Sequence, residues 1–323
     1  MNMAQTDLAI VIPAYKGTFL RETLESVARQ TDRRFHLYIG DDCSPHGLNE
    51  IVKDFEGRIP MTYHRFDTNL GGTDLVAQWE RCIALTQGEP WIWLFSDDDV
   101  MGPECVREFY EVPEDVRKNA VIHFNINIIN DKSTVIKRPA EYPAQISAEE
   151  YLYLKLNGKI ISYVVEFIFP RAIYDHIGGF VNFDLAWGSD FMTWLRMATE
   201  SERGIMTVKP TEKAMVNWRM STENISPNKT YAIEKRKIES LIGNAAYIRA
   251  LLKQYPKHYD GVEKEFRFVK FPFGEILRNR NLFTLKEIHE FTEHYRKRVG
   301  FTTHAIVCEL YILISKYLLR HER

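Results

Sequence analysis

The chain has 323 residues, of which 45% are apolar and 27% are charged, as is ordinary for a soluble globular protein. Its formal net charge of -2 excludes a nucleic-acid binder that relies on a strong overall basic field. The four cysteines are widely spaced and form no CxxC pair, which excludes a zinc ribbon and a dense disulfide scaffold. The first residues carry no secretory signal pattern, so we expect a cytoplasmic protein.

The first half of the chain alternates apolar strands with helical patterns. Strands are predicted from Leu8 to Tyr15, Phe35 to Gly40, Met61 to Phe66 and Trp91 to Phe95, with helices between them over Phe19 to Gln30, through Ile51 and Phe55, and over Leu75 to Leu85. Alternation at this spacing is typical of right-handed βαβ units. It therefore predicts an α/β fold with a doubly wound, mostly parallel central sheet.

The strand that begins at Trp91 ends in three consecutive carboxylates, Asp97, Asp98 and Asp99. Unpaired buried charge is very costly, so these side chains must emerge where the strand stops, which is where open α/β sheets bind ligands. Adjacent carboxylates repel one another and favour a cation, and oxygen ligands suit Mg²⁺ or Mn²⁺. The alternative is a solvated acidic loop.

Turn-forming or polar residues also follow the first two strands. Pro13, Ala14 and Tyr15 close the first, and Asp41 and Asp42 close the second. No GxGxxG follows the first strand, which excludes a dinucleotide-binding fold, and the chain has no GxxxxGK[ST] phosphate loop. The three strand ends therefore predict a site for a metal-bridged ligand at one edge of the sheet.

Short motifs follow one another in order between Val11 and Asp190: Val11-Ile-Pro-Ala-Tyr15, Asp41-Asp42, Asn69-x-Gly71, Asp97 to Asp99 followed by Pro103, Gly178-Gly-Phe180, and Trp187-Gly-Ser-Asp190. Each motif is weak alone, but the ordered set resembles the family 2 glycosyltransferases, which have the GT-A fold. The chain departs from that pattern at Lys16, where the family often has Asn, at Gln78 and Trp79, where it often has Arg-Asn, and at Ser189, where it usually has Glu.

The resemblance implies an enzyme that takes a sugar from a nucleoside-diphosphate sugar, foremost a UDP-sugar, with Mn²⁺ or Mg²⁺ as cofactor. Alignment on the family's acidic motif makes Asp98 the best metal ligand, with Asp99 beside it. A second alignment reads Asp97-x-Asp99 as the metal-binding pair, so all three carboxylates stay candidates, and Asp97 is also a candidate for donor binding.

The resemblance also assigns the rest of the site. Asp42 would accept hydrogen bonds from the nucleotide base, in a pocket lined by Pro13, Ala14 and Tyr15, although an Asp before Ser-Pro is also common turn chemistry. Asp190 would be the general base, or alternatively an N-cap of the helix from Phe191 to Thr199. Arg219 would reach the donor phosphate, or else be an exposed loop residue.

The second half of the chain is mostly helical beyond two returning strands predicted between Ile205 and Trp218. We predict a catalytic domain over residues 1–220 and a helical extension over residues 221–323, with helices from Tyr231 to Tyr255, Leu285 to Val299 and Thr302 to Leu319. The last of these is apolar except for a narrow polar stripe, Glu309, Lys316 and Arg320, and is too short and interrupted to span a bilayer. It would pack on the catalytic domain, or dock on the inner face of a membrane or on a second subunit.

The function predicted on these grounds is an inverting glycosyltransferase that modifies a hydroxyl of a saccharide or lipid-linked acceptor in surface polysaccharide or glycolipid biosynthesis. A nucleotidyltransferase that makes nucleotide-sugars is the main alternative, because it also combines a doubly wound sheet with acidic metal ligands. That class normally has a Gly-rich, basic loop after its first strand, which the residues from Pro13 to Thr18 do not resemble. An inactive transferase kept as a scaffold is the other alternative.

Overall fold

The structure, a computed structural model, describes residues 6–221, 229–261 and 267–321. Its strands are β1 Leu8–Ala14, β2 Phe35–Asp41, β3 Met61–Arg65, β4 Trp91–Leu94, β5 Val100–Met101, β6 Val121–His123, β7 Ile126–Ile129, β8 Val135–Lys137, β9 Gln145–Ile146, β10 Phe167–Pro170, β11 Ile205–Thr207 and β12 Val216–Arg219. Its helices are α1 Leu20–Ala28, α2 Leu48–Lys53, α3 Leu75–Ile83, α4 Cys105–Glu111, α5 Glu114–Lys118, α6 Ala148–Leu156, α7 Arg171–Ile177, α8 Ser189–Glu200, α9 Tyr231–Gln254, α10 Arg267–Arg278, α11 Leu285–Arg298 and α12 Thr302–His321.

The central sheet has eight strands in the order β3-β2-β1-β4-β10-β6-β11-β9. β1 pairs in parallel with both β2 and β4, and Leu8 lies opposite Phe35 on one side and Trp91 on the other. β10 is antiparallel to β4 and to β6, while β11 is parallel to β6. The predicted α/β fold is confirmed, and the parallel register places the carboxyl ends of β1, β2 and β4 at one edge.

The strands at the middle of this sheet are apolar on both faces because each face is covered by helices. Every residue of β4 is buried, as is nearly every residue of β1. One apolar cluster includes side chains of α3, α8 and the C-terminal helices, and the other includes side chains of α1, α2 and α4. Such a layered arrangement leaves the strand ends as the place where polar side chains can meet solvent or a ligand.

A second, four-stranded sheet, β5-β12-β7-β8, was not predicted from the sequence as a sheet. Its strand β5 follows directly after the acidic segment, and β12 pairs antiparallel with it through Val216 and Met101. β12 also pairs in parallel with β7. This pairing brings the end of β12, Arg219, against the carboxylates that follow β4.

The C-terminal helices extend the first apolar cluster rather than forming a separate core. Ile238 and Ile242 of α9, Phe273 of α10, Ile288 of α11 and Ile312 of α12 are buried in it together with residues of β1 and β4. The predicted domain boundary borders residues 222–228, which lie outside the described residues, so it stays a prediction. In the described part of the chain, no helix is both long and apolar enough to cross a bilayer.

Candidate active site

The side chain of Asp97 holds the loop that follows β1. Its Oδ2 atom accepts hydrogen bonds from the main-chain N–H groups of Tyr15 and Lys16, at 2.8 and 2.7 Å. The side chain is buried, and burial together with the neighbouring Asp98 charge raises its pKa to about 6. Asp97 therefore fixes the first strand end relative to the fourth.

Asp98 is the carboxylate that carries a cationic partner. Its Oδ2 lies 2.8 Å from the Lys16 ammonium nitrogen, and its Oδ1 accepts a hydrogen bond from the Ser96 hydroxyl. The Asp98 side chain is 5% exposed, whereas that of Lys16 is 27% exposed. A positive charge thus already lies against the carboxylate that the sequence favours as a metal ligand.

Asp99 is held by β12 and by α1. Its Oδ1 accepts the main-chain N–H of Arg219 at 2.6 Å, and its carbonyl oxygen accepts the Thr23 hydroxyl at 2.8 Å. Burial, followed by the charge of Asp98, raises its pKa well above the usual value for an aspartate. Asp97 and Asp99 are therefore buried carboxylates that the neighbouring charge of Asp98 destabilises in their ionised form.

The side chain of Arg219 is fully buried and is bonded within the protein. Its Nε donates to the carbonyl oxygen of Asp98 at 2.7 Å, Nη1 donates to that of Asn130 at 2.8 Å, and Nη2 pairs with Glu22 at 2.7 Å. The guanidinium also lies 4.1 Å from the centre of the Phe19 ring. The expectation of an exposed loop residue is wrong, because β12 delivers Arg219 into the interior. These contacts favour a role in fixing the acidic segment over a contact with donor phosphate.

The acidic segment alone supplies only part of the ligands that a divalent cation needs. Among the residues that the structure describes, no three His, Cys, Asp or Glu side chains are grouped so as to hold a metal ion. Mg²⁺ and similar ions are usually held by one or two carboxylates together with substrate phosphates. Asp98 and Asp99 would supply the two carboxylates of that pattern. A bound cation would also offset the repulsion that raises the pKa of Asp97 and of Asp99.

Both carboxylates after β2 are committed to hydrogen bonds. Asp41 accepts the main-chain N–H of Ser44 at 2.7 Å and pairs with Arg65 at 2.8 Å. Asp42 accepts the N–H groups of Leu70 and Gly71 at 2.7 and 2.8 Å. Each of the two therefore supports a neighbouring turn or loop, as the turn-chemistry alternative for Asp42 predicted.

Asp42 explains the glycine of the Asn69-x-Gly71 motif. A Cβ atom on Gly71 would lie 2.7 Å from Asp42 Oδ2, so the close approach of the loop requires glycine. Arg81 of α3 pairs with the other oxygen of Asp42 and packs 3.9 Å from the centre of the Phe66 ring. The sequence reasoning missed Arg81, although it noted two unusual residues in the same helix.

The predicted nucleotide-pocket residues differ in accessibility. Ala14 is fully buried in the apolar cluster, and its carbonyl oxygen accepts the Asp42 N–H at 2.9 Å. Pro13 is partly buried, while Tyr15 is 39% exposed with its ring edge-on to His46. Tyr15 is thus the member of this group whose side chain can contact a ligand directly, while Ala14 lies beneath it.

Asp190 lies in the first turn of α8. The N-cap of that helix is Gly188, with φ at 83°, and not Asp190, so the capping alternative is wrong. A Cβ atom on Gly188 would lie 2.4 Å from the Asn244 amide nitrogen, so the backbone conformation and the close packing both favour glycine there. Asp190 is therefore a first-turn residue of α8 and not its N-cap.

Burial raises the pKa of Asp190, and the positive charge of Lys155 on α6 opposes that shift. Burial likewise lowers the pKa of Lys155, which the Asp190 charge raises in turn. The Lys155 ammonium lies 5.1 Å from the centre of the Phe191 ring, next to Asp190 in sequence. A partly desolvated carboxylate is a stronger base than a fully hydrated one, which suits it to take a proton.

Tyr163 lies within electrostatic range of both the acidic segment and Asp190. Burial, and then the charges of Glu166, Asp99 and Asp190, raise the pKa of its hydroxyl. The Tyr163 ring stacks on Trp218, with centres 3.8 Å apart and planes 10° apart. The charges of Asp99, which follows β4, and of Asp190, on α8, therefore both reach the hydroxyl of Tyr163.

Glu166, which precedes β10, is a buried carboxyl group in the same region. Its Oε1 accepts the Tyr163 N–H at 3.0 Å, and burial raises its pKa well above the ordinary glutamate value. Sequence reasoning missed Tyr163, Glu166 and Lys155. They lie between the family motifs, and no local pattern marks them.

Comparison with known proteins gives one family match. The family model described as glycosyl transferase family 2 matches residues 9–178, just over half of the 323-residue chain. An uncharacterized glycosyltransferase of Haemophilus influenzae is 29% identical over 154 residues, which are 47% of this chain and 50% of that protein. The chain thus matches about half the length of this curated relative.

Two solved structures share the fold at low sequence identity. TarS of S. aureus, crystallised with UDP-GlcNAc, has a TM-score of 0.58 at 12% identity over 94% of this chain and 90% of that chain. A mannosyltransferase of Pyrobaculum calidifontis, in complex with GDP-Man and Mn²⁺, has a TM-score of 0.52 at 13% identity over 97% of this chain and 89% of that chain. The GT-A-type architecture, with its helical C-terminal region, is confirmed at the level of fold.

Proposed function

The chain belongs to glycosyl transferase family 2, and from that premise we propose that it transfers a sugar from a nucleoside-diphosphate sugar to an acceptor hydroxyl. The donor is a UDP-sugar, and a single displacement inverts the anomeric configuration. The acceptor is a saccharide or a lipid-linked saccharide in the biosynthesis of a surface polysaccharide or glycolipid. Family membership favours this activity over the formation of nucleotide-sugars.

One observation carries the proposal: the charges of Asp99, which follows β4, and of Asp190, on α8, both act on the hydroxyl of Tyr163. In this proposal glycosyl transfer uses carboxylates in two separate roles. One role is to hold the cation near the leaving diphosphate, and the other is to take the proton from the attacking hydroxyl. Asp98 and Asp99 supply the first, and Asp190 supplies the second. The charge of Lys155 keeps Asp190 more readily ionised than burial alone would allow.

The cofactor in this proposal is Mn²⁺ or Mg²⁺, held by Asp98 and Asp99 together with the donor diphosphate. When bound, the cation neutralises the negative charge that develops on the leaving diphosphate. The mannosyltransferase that shares the fold was solved with GDP-Man and Mn²⁺, which supports this choice. Asp97, engaged with two main-chain N–H groups, keeps the β1 loop in place beside the donor.

The donor nucleoside lies over the ends of β1 and β2 in this proposal. The exposed ring of Tyr15 contacts it, with Pro13 and the buried Ala14 shaping the floor. Asp42 lies behind the Asn69-x-Gly71 loop and would accept from the base through the acceptor site that its bonds to Leu70, Gly71 and Arg81 leave. The UDP-GlcNAc bound to TarS supports a uracil nucleotide.

Asp190 takes the proton from the acceptor hydroxyl as the hydroxyl attacks the anomeric carbon. General-base assistance of this kind typically contributes about 10²–10⁴-fold to the rate. The stacked rings of Tyr163 and Trp218 offer an apolar surface of the sort on which a sugar ring packs, and the Asp190 charge acts on the Tyr163 hydroxyl. The acceptor therefore approaches over this aromatic pair.

The β1 loop argues against a nucleotidyltransferase. An enzyme of that class uses main-chain N–H groups after its first strand to cradle a triphosphate. Here the N–H groups of Tyr15 and Lys16 are bonded to Asp97. The loop is thus organised around the protein's own carboxylate.

A screen of nucleotide-sugars tests the proposal. The purified chain is incubated with UDP-, GDP-, ADP- and CMP-linked sugars, with Mn²⁺ or with chelator, and thermal stabilisation and slow hydrolysis are measured. We expect a UDP-sugar to stabilise the protein and to be hydrolysed only with metal. No response to any nucleotide-sugar, or synthesis of nucleotide-sugar from a nucleoside triphosphate and a sugar 1-phosphate, would contradict it.

A further inference from the structure

The last helix, α12, has its polarity reversed relative to an ordinary surface helix. Glu309 and Lys316 are the two Asp, Glu, Lys or Arg residues between Thr302 and Leu318, and both are buried, at 9% and 6% exposure. The opposite side of the helix carries seven exposed apolar or aromatic side chains, Ile306, Val307, Leu310, Tyr311, Ile314, Tyr317 and Leu318, which we call the outer face. A surface helix normally shows the opposite arrangement.

The inward direction of the two charged residues is fixed by specific bonds. The Glu309 carboxylate oxygen Oε1 lies 2.8 Å from Nδ1 of His289 on α11. The Lys316 ammonium donates to the main-chain carbonyl oxygens of Arg280 and Phe283, both at 2.7 Å. Ala305 and Ile312 on the same side are fully or almost fully buried in the core. A rotation of α12 that hid the outer face would break these contacts, so the exposure belongs to the fold.

The outer face is a continuous stripe. Its residues recur at the three- and four-residue spacing that places side chains on one side of a helix, from Ile306 to Leu318. From their exposed fractions, the seven side chains leave on the order of 800 Å² open, which exceeds the largest apolar patch of a typical monomer. That area matches what one partner contributes to a standard protein–protein interface.

We propose that two copies of this chain pair through the outer face of α12, helix against helix. The face is apolar and free of charge, so it is complementary to itself, as a two-fold symmetric interface requires. The exposed Tyr311 and Tyr317 fit such a surface, because aromatic residues are enriched in protein interfaces. Complete coverage of two such faces would bury at most about 1,600 Å² in total, the size of a standard interface.

A lipid surface is the competing occupant, and the charges of α12 favour it less. Helices that lie on membranes carry Lys or Arg beside their apolar side. α12 has two such residues in its sequence: Lys316, which is bonded to carbonyl oxygens inside the protein, and Arg320 in its last turn, beyond the apolar stripe. A second copy needs no flanking positive charge.

The test compares the oligomeric state of the full chain with that of a double variant, Leu310→Glu with Ile314→Glu, by sedimentation equilibrium over the micromolar range without lipid. Two glutamates would place unpaired charge in the centre of the interface. We expect the wild type to form dimers and the variant to weaken dimerisation by at least about 100-fold. Ile136→Glu is the matched control, since Ile136 is equally exposed on β8 and should leave the dimer unchanged.

Two further measurements cover misfolding of the double variant and binding to a lipid surface. If the double variant loses its circular dichroism signal, Tyr311→Ser, which introduces no charge, replaces it and should still weaken the dimer. Flotation with vesicles of phosphatidylcholine and phosphatidylglycerol tests the competing occupant. A wild type that is monomeric throughout the concentration range, or that floats with vesicles through the same residues while remaining monomeric, overturns the proposal.

Discussion

The Lys16 ammonium nitrogen lies 2.8 Å from Asp98 Oδ2, so a lysine on the first strand's loop neutralises a carboxylate that follows the fourth strand. The main-chain N–H of the same lysine also donates to Asp97. Because β1 and β4 are adjacent and parallel, their ends meet, and one residue can serve both carboxylates. Where the family often has Asn, this chain therefore carries a built-in positive charge at its candidate metal site.

The first prediction follows from this contact. A divalent cation at Asp98 must compete with the Lys16 charge, so Lys16→Met should increase Mn²⁺ affinity in the absence of nucleotide by about tenfold. Titration of Mn²⁺ followed by electron paramagnetic resonance measures it. Lys53→Met removes an equal charge from a distant exposed pair with Glu50 and should have no effect. Unchanged or weaker Mn²⁺ binding by Lys16→Met would show that the two cations do not compete.

The second prediction separates Asp98 from Asp97. Asp98→Ala should abolish the gain in UDP affinity that metal provides, while leaving the fold stable. Asp97→Ala leaves two main-chain N–H groups without their acceptor and should lower the free energy of unfolding by about 1–3 kcal/mol relative to Asp97→Asn, which keeps an acceptor oxygen. Calorimetric titration with UDP and urea denaturation measure the two effects. If Asp97→Ala abolished the metal-dependent gain in UDP affinity and Asp98→Ala kept it, Asp97 and Asp99 would be favoured as the metal-binding pair.

The third prediction concerns the buried arginine. Arg219→Met leaves the carbonyl oxygens of Asp98 and Asn130 without their donor and should reduce the free energy of unfolding by about 3 kcal/mol. Urea denaturation at neutral pH measures the change. If Arg219→Met retained wild-type stability and lost only UDP affinity, the arginine would have to contact donor phosphate.

The fourth prediction uses pH. Asp190 must be ionised to act as base, so transfer should fall as pH decreases through its pKa, which burial has raised. The Lys155 charge lowers that pKa, so Lys155→Met should raise it and move the acidic limb of the kcat/KM profile to higher pH. Lys159→Met, an exposed lysine just past the end of the same helix, is the control. An acidic limb that stays in place would show that Lys155 does not act on the base.

The sheet edge could be predicted from the sequence because it depends on short-range patterns. The apolar runs of β1, β2 and β4 each end in residues that cannot continue into a core, so their polar ends had to meet. The helices α9, α11 and α12 followed from apolar periodicity in the same way. By contrast, α10 was not predicted, and it contains Pro272, a residue that normally interrupts a helix.

The contacts that organise the site depend on long-range pairing, which local patterns do not encode. β5 is two residues long and pairs with β12 more than a hundred residues later, and this pairing carries Arg219 into the interior. The roles of Arg81 and Lys155 likewise depend on which helices pack against the strand ends. For Asp190, the backbone conformation of Gly188 decides where α8 begins, so the side-chain pattern alone misplaced the cap.

The central claim is that one carboxylate performs chemistry while others bind the donor, and Asp190→Asn tests it most directly. The amide keeps the size of the side chain but cannot take the proton of the acceptor. We predict that transfer to the acceptor falls about 10²–10⁴-fold, whereas metal-dependent UDP affinity and thermal stability stay at wild-type values. Transfer at a near wild-type rate, or loss of UDP binding together with stability, would contradict the account.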